Sequence, residues 1–129
     1  MYGRLVQMNL YEKQARLLRA IAHPTRLRIL EIISEEESCV CHITTILKRR
    51  QPYVSQQLMI LREAGLVLDR KDGVMVYYRP ADKRITEAIV RTRDILRATG
   101  DKVDFPPVPK PPVSGCPCPE CENSGPWNR

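Results

Sequence analysis

The feature that most constrains this chain is a change of hydrophobic period that starts at Gly65 and ends at Pro80. Before it, apolar residues recur at helical spacing. "NLYEKQARLLRAIA" sets Leu10, Ala15, Leu17, Leu18 and Ile21 on a first amphipathic helix. Pro24 suits the first turn of a second helix, where a missing N–H costs nothing, and Leu27, Ile29, Leu30, Ile32 and Ile33 give that helix a broad apolar face. "EEES" reads as a solvated turn. A short third helix is predicted from Val40 to Leu47, with Ile43, Ile46 and Leu47 inward. "KRRQ" turns the chain, and Pro52 opens a fourth helix to Ala64 that buries Val54, Leu58, Ile60 and Leu61. Gly65 fits the left-handed position after it. "LVLDR" and "VMVYYRP" then read as two short strands around "KDG", whose Asp72-Gly73 pair is a strong hairpin turn. Helical spacing returns in "ADKRITEAIVRTRDILRAT", with Ile85, Ile89 and Leu96 on one stripe and Gly100 closing it.

Beyond Gly100 the composition changes. Seven prolines between Pro106 and Pro119 predict a semi-rigid polyproline II spacer. The expected organisation is one domain over residues 1–100, then a proline-rich spacer and cysteine-rich tail over 101–129. Apolar residues make up 43% of the chain, with a single Phe and a single Trp, so a modest aliphatic core is expected. No aliphatic run is long enough to span a membrane, and "MYGRLVQMNLYEK" lacks a secretory core. A cytoplasmic protein with reduced thiols is therefore expected. Its five cysteines, an odd number, argue against a disulfide framework and for ligand or redox chemistry.

Charge points to a partner. The net charge is +6, yet Lys110 and Arg129 are outnumbered after residue 103 by Asp104, Glu120 and Glu122. The basic surplus therefore sits in the body, and nucleic acid is the commonest soluble anionic partner. Two short helices joined by a tight basic turn and followed by a hairpin form the layout of a winged helix-turn-helix. The expected fold is mainly α: five helices and a two-stranded β-hairpin wing, with an irregular Pro/Cys-rich C-terminal tail.

"CVCHITTILKRRQPYVSQQLMILREAGLVLDRKDGVMVYYRP" resembles the ArsR/SmtB family of metal-sensing bacterial repressors. The likeness runs from about Leu17 to Leu96 and is carried by Cys39-Val40-Cys41, "QPYVSQQLMILREAGLV" and "GVMVYYRP". It implies a homodimer that binds double-stranded operator DNA and leaves it when metal or metalloid binds. In that role Gln51, Tyr53, Ser55 and Gln56 would reach base edges, because Gln reads adenine bidentately and Ser serves base or phosphate. Lys48, Arg49 and Arg50 at the turn, with Arg70, Lys71 and Arg79 on the wing, would neutralise phosphates. The chain departs from the family where Arg49 and Arg50 replace an apolar residue and Ser, and where Tyr53 replaces Thr.

The thiols fall into two groups. Cys39 and Cys41 are one residue apart, about 200° around a helix, so they converge only where the helix has barely begun. A helix N-terminus there would also lower their pKa. Arsenic-sensing members of the family often carry a third Cys where this chain has Thr44, and His42 stands where Asp is usual. The fifth-helix site of zinc-sensing members needs histidines; here that helix offers Asp82, Glu87 and Asp94 and no histidine. Cys116, Cys118 and Cys121 in "GCPCPECE" are then the source of further ligands, in a C-x-x-C unit whose prolines limit the entropy lost on closure. The spacer from Phe105 to Val113 reaches about 28 Å as polyproline II, enough to meet the Cys39–Cys41 pair of its own chain or of a partner.

All-sulfur coordination selects thiophilic ions such as arsenite, cadmium, lead, Cu(I) or zinc, and the family resemblance together with the thiol count puts arsenite first. The expected function is a metal(loid)-released transcriptional repressor, not an enzyme. Other readings stay open: a thiol-based redox or reactive-sulfur sensor of the same fold, structural zinc in a constitutive regulator, an independent tail site, or an unordered tail. A thiol-disulfide oxidoreductase would need a βαβ setting, which the proline-rich flanks lack.

Overall fold

The structure is a computed structural model that describes residues 2–100 and 102–123, with side chains for 9–100 and 102–122. Residues 124–129, the end of the predicted tail, lie outside the described residues. The elements run α1 (Tyr2–Ile21), α2 (Pro24–Glu35), β1 (Ser38–Cys39), α3 (Val40–Leu47), α4 (Gln51–Glu63), β2 (Val67–Asp72), β3 (Met75–Pro80), α5 (Lys83–Ala98) and α6 (Pro119–Asn123). The expected winged helix-turn-helix is present: α3 and α4 are the helix pair, and β2 with β3 is the wing.

α2 is the centre of the core. Pro24 begins it as predicted, and His23 caps it by accepting the Thr25 N–H on Nδ1 at 3.2 Å. Ile29, Leu30, Ile32 and Ile33 are all buried, and the helix packs on α1, α3, α4, α5 and β3. Ile43 of α3, Val54, Leu58 and Leu61 of α4, and Leu66 and Val67 complete this core. Ile60, expected inside, is only half-buried, while Gln57 is buried in the α4 face. The α3–α4 turn is tight because Lys48 adopts the left-handed conformation (φ 54°) and its N–H returns to the Thr44 carbonyl. Arg50 then precedes α4 with no side-chain cap.

Two elements exceed the sequence expectation. "EEES" is not wholly a solvated turn: Ser38 is buried, and Ser38 and Cys39 pair with Tyr78 and Tyr77. This makes a three-stranded antiparallel sheet in the order β1-β3-β2. The tail also ends in a short helix, α6. The wing turn is displaced by one residue. Asp72 pairs with Met75, so the turn residues are Gly73 and Val74. Only Gly73 takes positive φ (61°), as the first position of a II′ hairpin requires.

The outer faces of α1 and α5 are the least covered apolar surfaces. Leu10, Tyr11, Leu17 and Leu18 on α1, and Val90, Ile95 and Leu96 on α5, are all exposed, Ile95 to 65%. Of the predicted α5 stripe, Ile89 is buried, Ile85 half-buried and Leu96 exposed.

Candidate functional site

The two thiol groups meet, and they meet within one chain. Cys39 is the N-cap of α3, with extended backbone (φ −78°, ψ 164°). Cys41 is already helical, so the two sulfurs turn to the same side and lie 2.7 Å apart. The tail folds back to bring Cys116, Cys118 and Cys121 against them, so that Cys39 and the three tail cysteines form one buried cluster. All five are free thiols. Cys118 is shared between two groupings: Cys39, Cys41 and Cys118 in one, and His42, Cys116, Cys118 and Cys121 in the other.

In the sequence His42 is only the neighbour of Cys41, at a position where the family usually has Asp. It is buried, and its Nδ1 lies 3.7 Å from Cys116 Sγ, 3.8 Å from Cys118 Sγ and 3.3 Å from Cys121 Sγ. Only the return of a segment more than seventy positions away makes this contact, so no local signal could reveal it. The donor set fits a tetrahedral ion. With Zn–S near 2.3 Å and Zn–N near 2.0–2.1 Å, tetrahedral edges are about 3.5 Å (S···N) and about 3.8 Å (S···S). The Cys116–Cys118 separation is 3.3 Å, a few tenths short of that edge.

The electrostatics depart from one expectation. Burial, then the neighbouring Cys41 thiol, push the Cys39 thiol well above its ordinary value and outweigh the His42 N–H at the helix start, 3.4 Å from its sulfur. Burial likewise pushes Cys116 up to about 12 and raises Cys121. Burial alone would raise Cys118 too. The Cys121 backbone N–H and the thiols of Cys116, Cys121 and Cys39 overcome it, and Cys118 ends below its ordinary value. Among Cys39, Cys116, Cys118 and Cys121 it is the sulfur best able to carry negative charge. Burial lowers the His42 pKa and keeps its ring neutral, the form in which nitrogen ligates.

The spacer is fastened to the body. Arg28 donates to the carbonyls of Pro106 (2.7 Å) and Pro107 (3.1 Å). The Arg93 guanidinium lies 3.8 Å from the centroid of the Phe105 ring. Both arginines also pair with Glu31, so α2, α5 and the spacer share one clamp. Further along, the Val113 N–H donates to Cys121 Sγ at 3.3 Å.

The residues expected to read DNA divide. Gln51 and Gln56 are exposed on α4, Ser55 is half-buried, and Lys48, Arg49 and Arg50 are exposed at the turn. Tyr53 is half-buried; its hydroxyl shares a 3.0 Å hydrogen bond with Thr25 of α2 and its ring lies under Arg49. That bond fixes α4 against α2, and buried Gln57 does the same by accepting from Arg26 at 2.9 Å. On the wing, Arg70 pairs with Glu37 and stacks on Tyr77. Lys71 pairs with Val76 close to the hairpin turn, whereas Arg79 sits opposite Leu68 at its base. Both are exposed, at opposite ends of the hairpin.

Residues 23–68 match the family model for bacterial regulatory proteins of the arsR family. An uncharacterized HTH-type transcriptional regulator of Methanocaldococcus jannaschii is 45% identical over 83 residues, 64% of this chain and 93% of that protein. The chain belongs to the ArsR family. This makes it a DNA-binding transcriptional regulator rather than an enzyme. Among ArsR relatives, the arsenical resistance operon repressor of Escherichia coli is 48% identical over 64 residues, 49% of this chain and 55% of that repressor. The ArsR fold is also that of a homodimeric winged helix-turn-helix DNA-binding domain from Mycobacterium bovis, with TM-score 0.68 and 25% identity, covering 78% of this chain and 94% of that one. No helix among the described residues is long and apolar enough to cross a membrane.

Proposed function

We propose that this chain is a cytoplasmic repressor that binds operator DNA as a homodimer. It lets go when a thiophilic ion binds the thiolates of Cys39, Cys41, Cys116, Cys118 and Cys121. Arsenite is the favoured ion, ahead of cadmium and lead. One observation carries this reading: the tail sets its sulfurs on the thiol pair that caps a helix of the DNA-binding motif. Arsenous acid exchanges its three hydroxyls for three thiol sulfurs and releases three waters, with no electron transferred.

The position of Cys39 suggests how the signal travels. The residue pairs with Tyr77 of β3 and caps α3, so its backbone joins the wing to the helix pair. Re-spacing the Cys39 and Cys41 sulfurs around an ion moves α3 and α4 against the wing. On DNA, Gln51, Ser55 and Gln56 read bases, with Tyr53 steadying the helix that carries them. Lys48, Arg49, Arg50, Lys71 and Arg79 neutralise phosphates, joined by Arg70 if it leaves Glu37. Dimerisation through the exposed apolar faces of α1 and α5 is supported by the homodimeric M. bovis neighbour.

The test is DNA release, followed by fluorescence anisotropy under full reduction, on titration with arsenite, cadmium, lead and zinc. The full chain is compared with one ending at Gly100. Arsenite should release the full chain at lower concentration than the shortened one. An identical response of both chains to every ion would remove the tail from sensing. A second reading rests on the 2.7 Å separation of the Cys39 and Cys41 sulfurs. Oxidation of the two thiols by hydrogen peroxide, giving one disulfide and two waters, would then be the signal. Release by peroxide alone, with no response to any ion, would favour it.

A further inference from the structure

Of the six donors only Cys41 is not buried. His42, Cys116, Cys118 and Cys121 are all buried, and together they supply three sulfurs and one nitrogen. This is the composition and closure of a structural tetrahedral zinc site. Half-buried Cys41, with the buried Cys39 beside it, lines a surface cleft of about 220 Å³, whose other walls are Val40, Gln51 of α4, and Val74, Met75 and Val76 of the wing. Cys118 lies behind the pair, its sulfur within 4.8 Å of both. A single ion cannot use all six donors, because thiophilic ions take three or four ligands.

We propose that the cluster is two sites. A closed His42/Cys116/Cys118/Cys121 tetrahedron holds a resident zinc-class ion that fastens the tail, and the Cys39–Cys41 pair at the cleft captures the effector, with Cys118 as their common sulfur. The division rests on the proposed thiophilic sensing only for the word effector; the resident site stands on its own geometry. It gives the two groups different tasks. The tail ion locks Cys118 behind the pair and excludes water from one side, while half-buried Cys41 keeps the pair reachable from the cleft. The cleft is walled by Gln51, so the arriving ion lands beside the DNA-reading helix.

The probes are zinc, cobalt(II) as its spectroscopic substitute, and phenylarsine oxide. Phenylarsine oxide joins two thiols: two As–S bonds form, and its oxygen leaves as water with the two thiol protons. Native mass spectrometry of the reduced full chain should find about one zinc per chain, retained after one phenylarsenical adds. Cobalt loading should give tetrahedral d–d bands with thiolate charge transfer. The Cys39→Ser/Cys41→Ser variant should keep the zinc and the cobalt spectrum and lose the arsenical. His42→Gln and Cys121→Ser should each lower zinc affinity at least tenfold, while the arsenical still adds. Circular dichroism checks that each variant is folded, and Cys121→Ser serves if the buried His42 variant is not. Loss of zinc on arsenical addition, or loss of the cobalt spectrum in the Cys39→Ser/Cys41→Ser variant, would overturn the division. None of these readouts uses DNA, so failure of the repressor reading leaves them intact, and their failure leaves DNA release to be judged separately.

Discussion

Arg50 precedes α4 at the N-cap with extended backbone (φ −69°, ψ 142°) and no side-chain hydrogen bond to the helix. The next positions are Gln51, Pro52 and Tyr53. Pro52 has no N–H, so the Tyr53 N–H is the donor a capping side chain would satisfy. Arg50→Ser should supply that acceptor and stabilise the protein by about 1 kcal/mol, raising Tm by about 4 °C. On the proposed DNA-bound homodimer, the same change removes a phosphate-neutralising charge from each half. The slope of log affinity against log salt should then shrink by about 1.8. Between 50 and 200 mM salt, the variant should therefore lose about twelvefold less affinity than the parent chain. Thermal unfolding and anisotropy titrations at several salt concentrations read the two effects separately. A rise in Tm with an unchanged salt slope would remove Arg50 from the phosphate contacts. An unchanged or lower Tm would refute the capping argument.

Three further outcomes follow from contacts described above. Leu18→Asp with Ile95→Asp puts charge on both exposed apolar faces and should give a folded monomer in sedimentation velocity; a persisting dimer would move the interface elsewhere. Arg93→Ala removes the Phe105 cation–π contact but leaves Glu31 paired with Arg28. It should weaken ion binding about fivefold, for a contact worth roughly 1 kcal/mol, and have no such effect on a chain ending at Gly100. Affinity for a divalent ion such as zinc, cadmium or lead should rise with pH, whereas arsenous acid, whose hydroxyls leave as water with the thiol protons, should show no such dependence. Burial and neighbouring thiols hold Cys39 and Cys116 protonated across the neutral range, Cys116 up to about 12, so ligation must displace their protons. Calorimetry with zinc in buffers of different ionisation enthalpy should record that release, and a pH-independent zinc affinity between pH 6 and 9 would refute it.

What could be read from the sequence was what neighbouring residues decide. Helical spacing, prolines at helix starts and the glycine of the wing turn are local signals, and they located α2, α3, α4, the wing and α5. The turn slipped by one residue because strand register, not the Asp72-Gly73 pair, chose its centre. What stayed hidden depends on contacts between distant segments. Ser38 is buried because β3 offers its edge, and His42 joins the sulfurs because the tail returns. Tyr53 turns its hydroxyl to Thr25, twenty-eight positions earlier, and Arg70 finds Glu37. The lowered thiol pKa expected for Cys39 failed for the same reason: tail packing buries the sulfur.

The order of the parts along the chain sets how this protein fails. The DNA-reading helices and the α1 and α5 faces precede Gly100, and three of the five thiols follow it. On the proposed mechanism, a protease cut or an early stop in the spacer removes ligands while sparing the operator grip. The product would then be a repressor that lets go only at a higher ion concentration, and it could still pair with intact copies. Such a lesion is dominant at low ion levels: a minority of clipped chains would keep the operator closed in a cell whose remaining copies sense the ion normally.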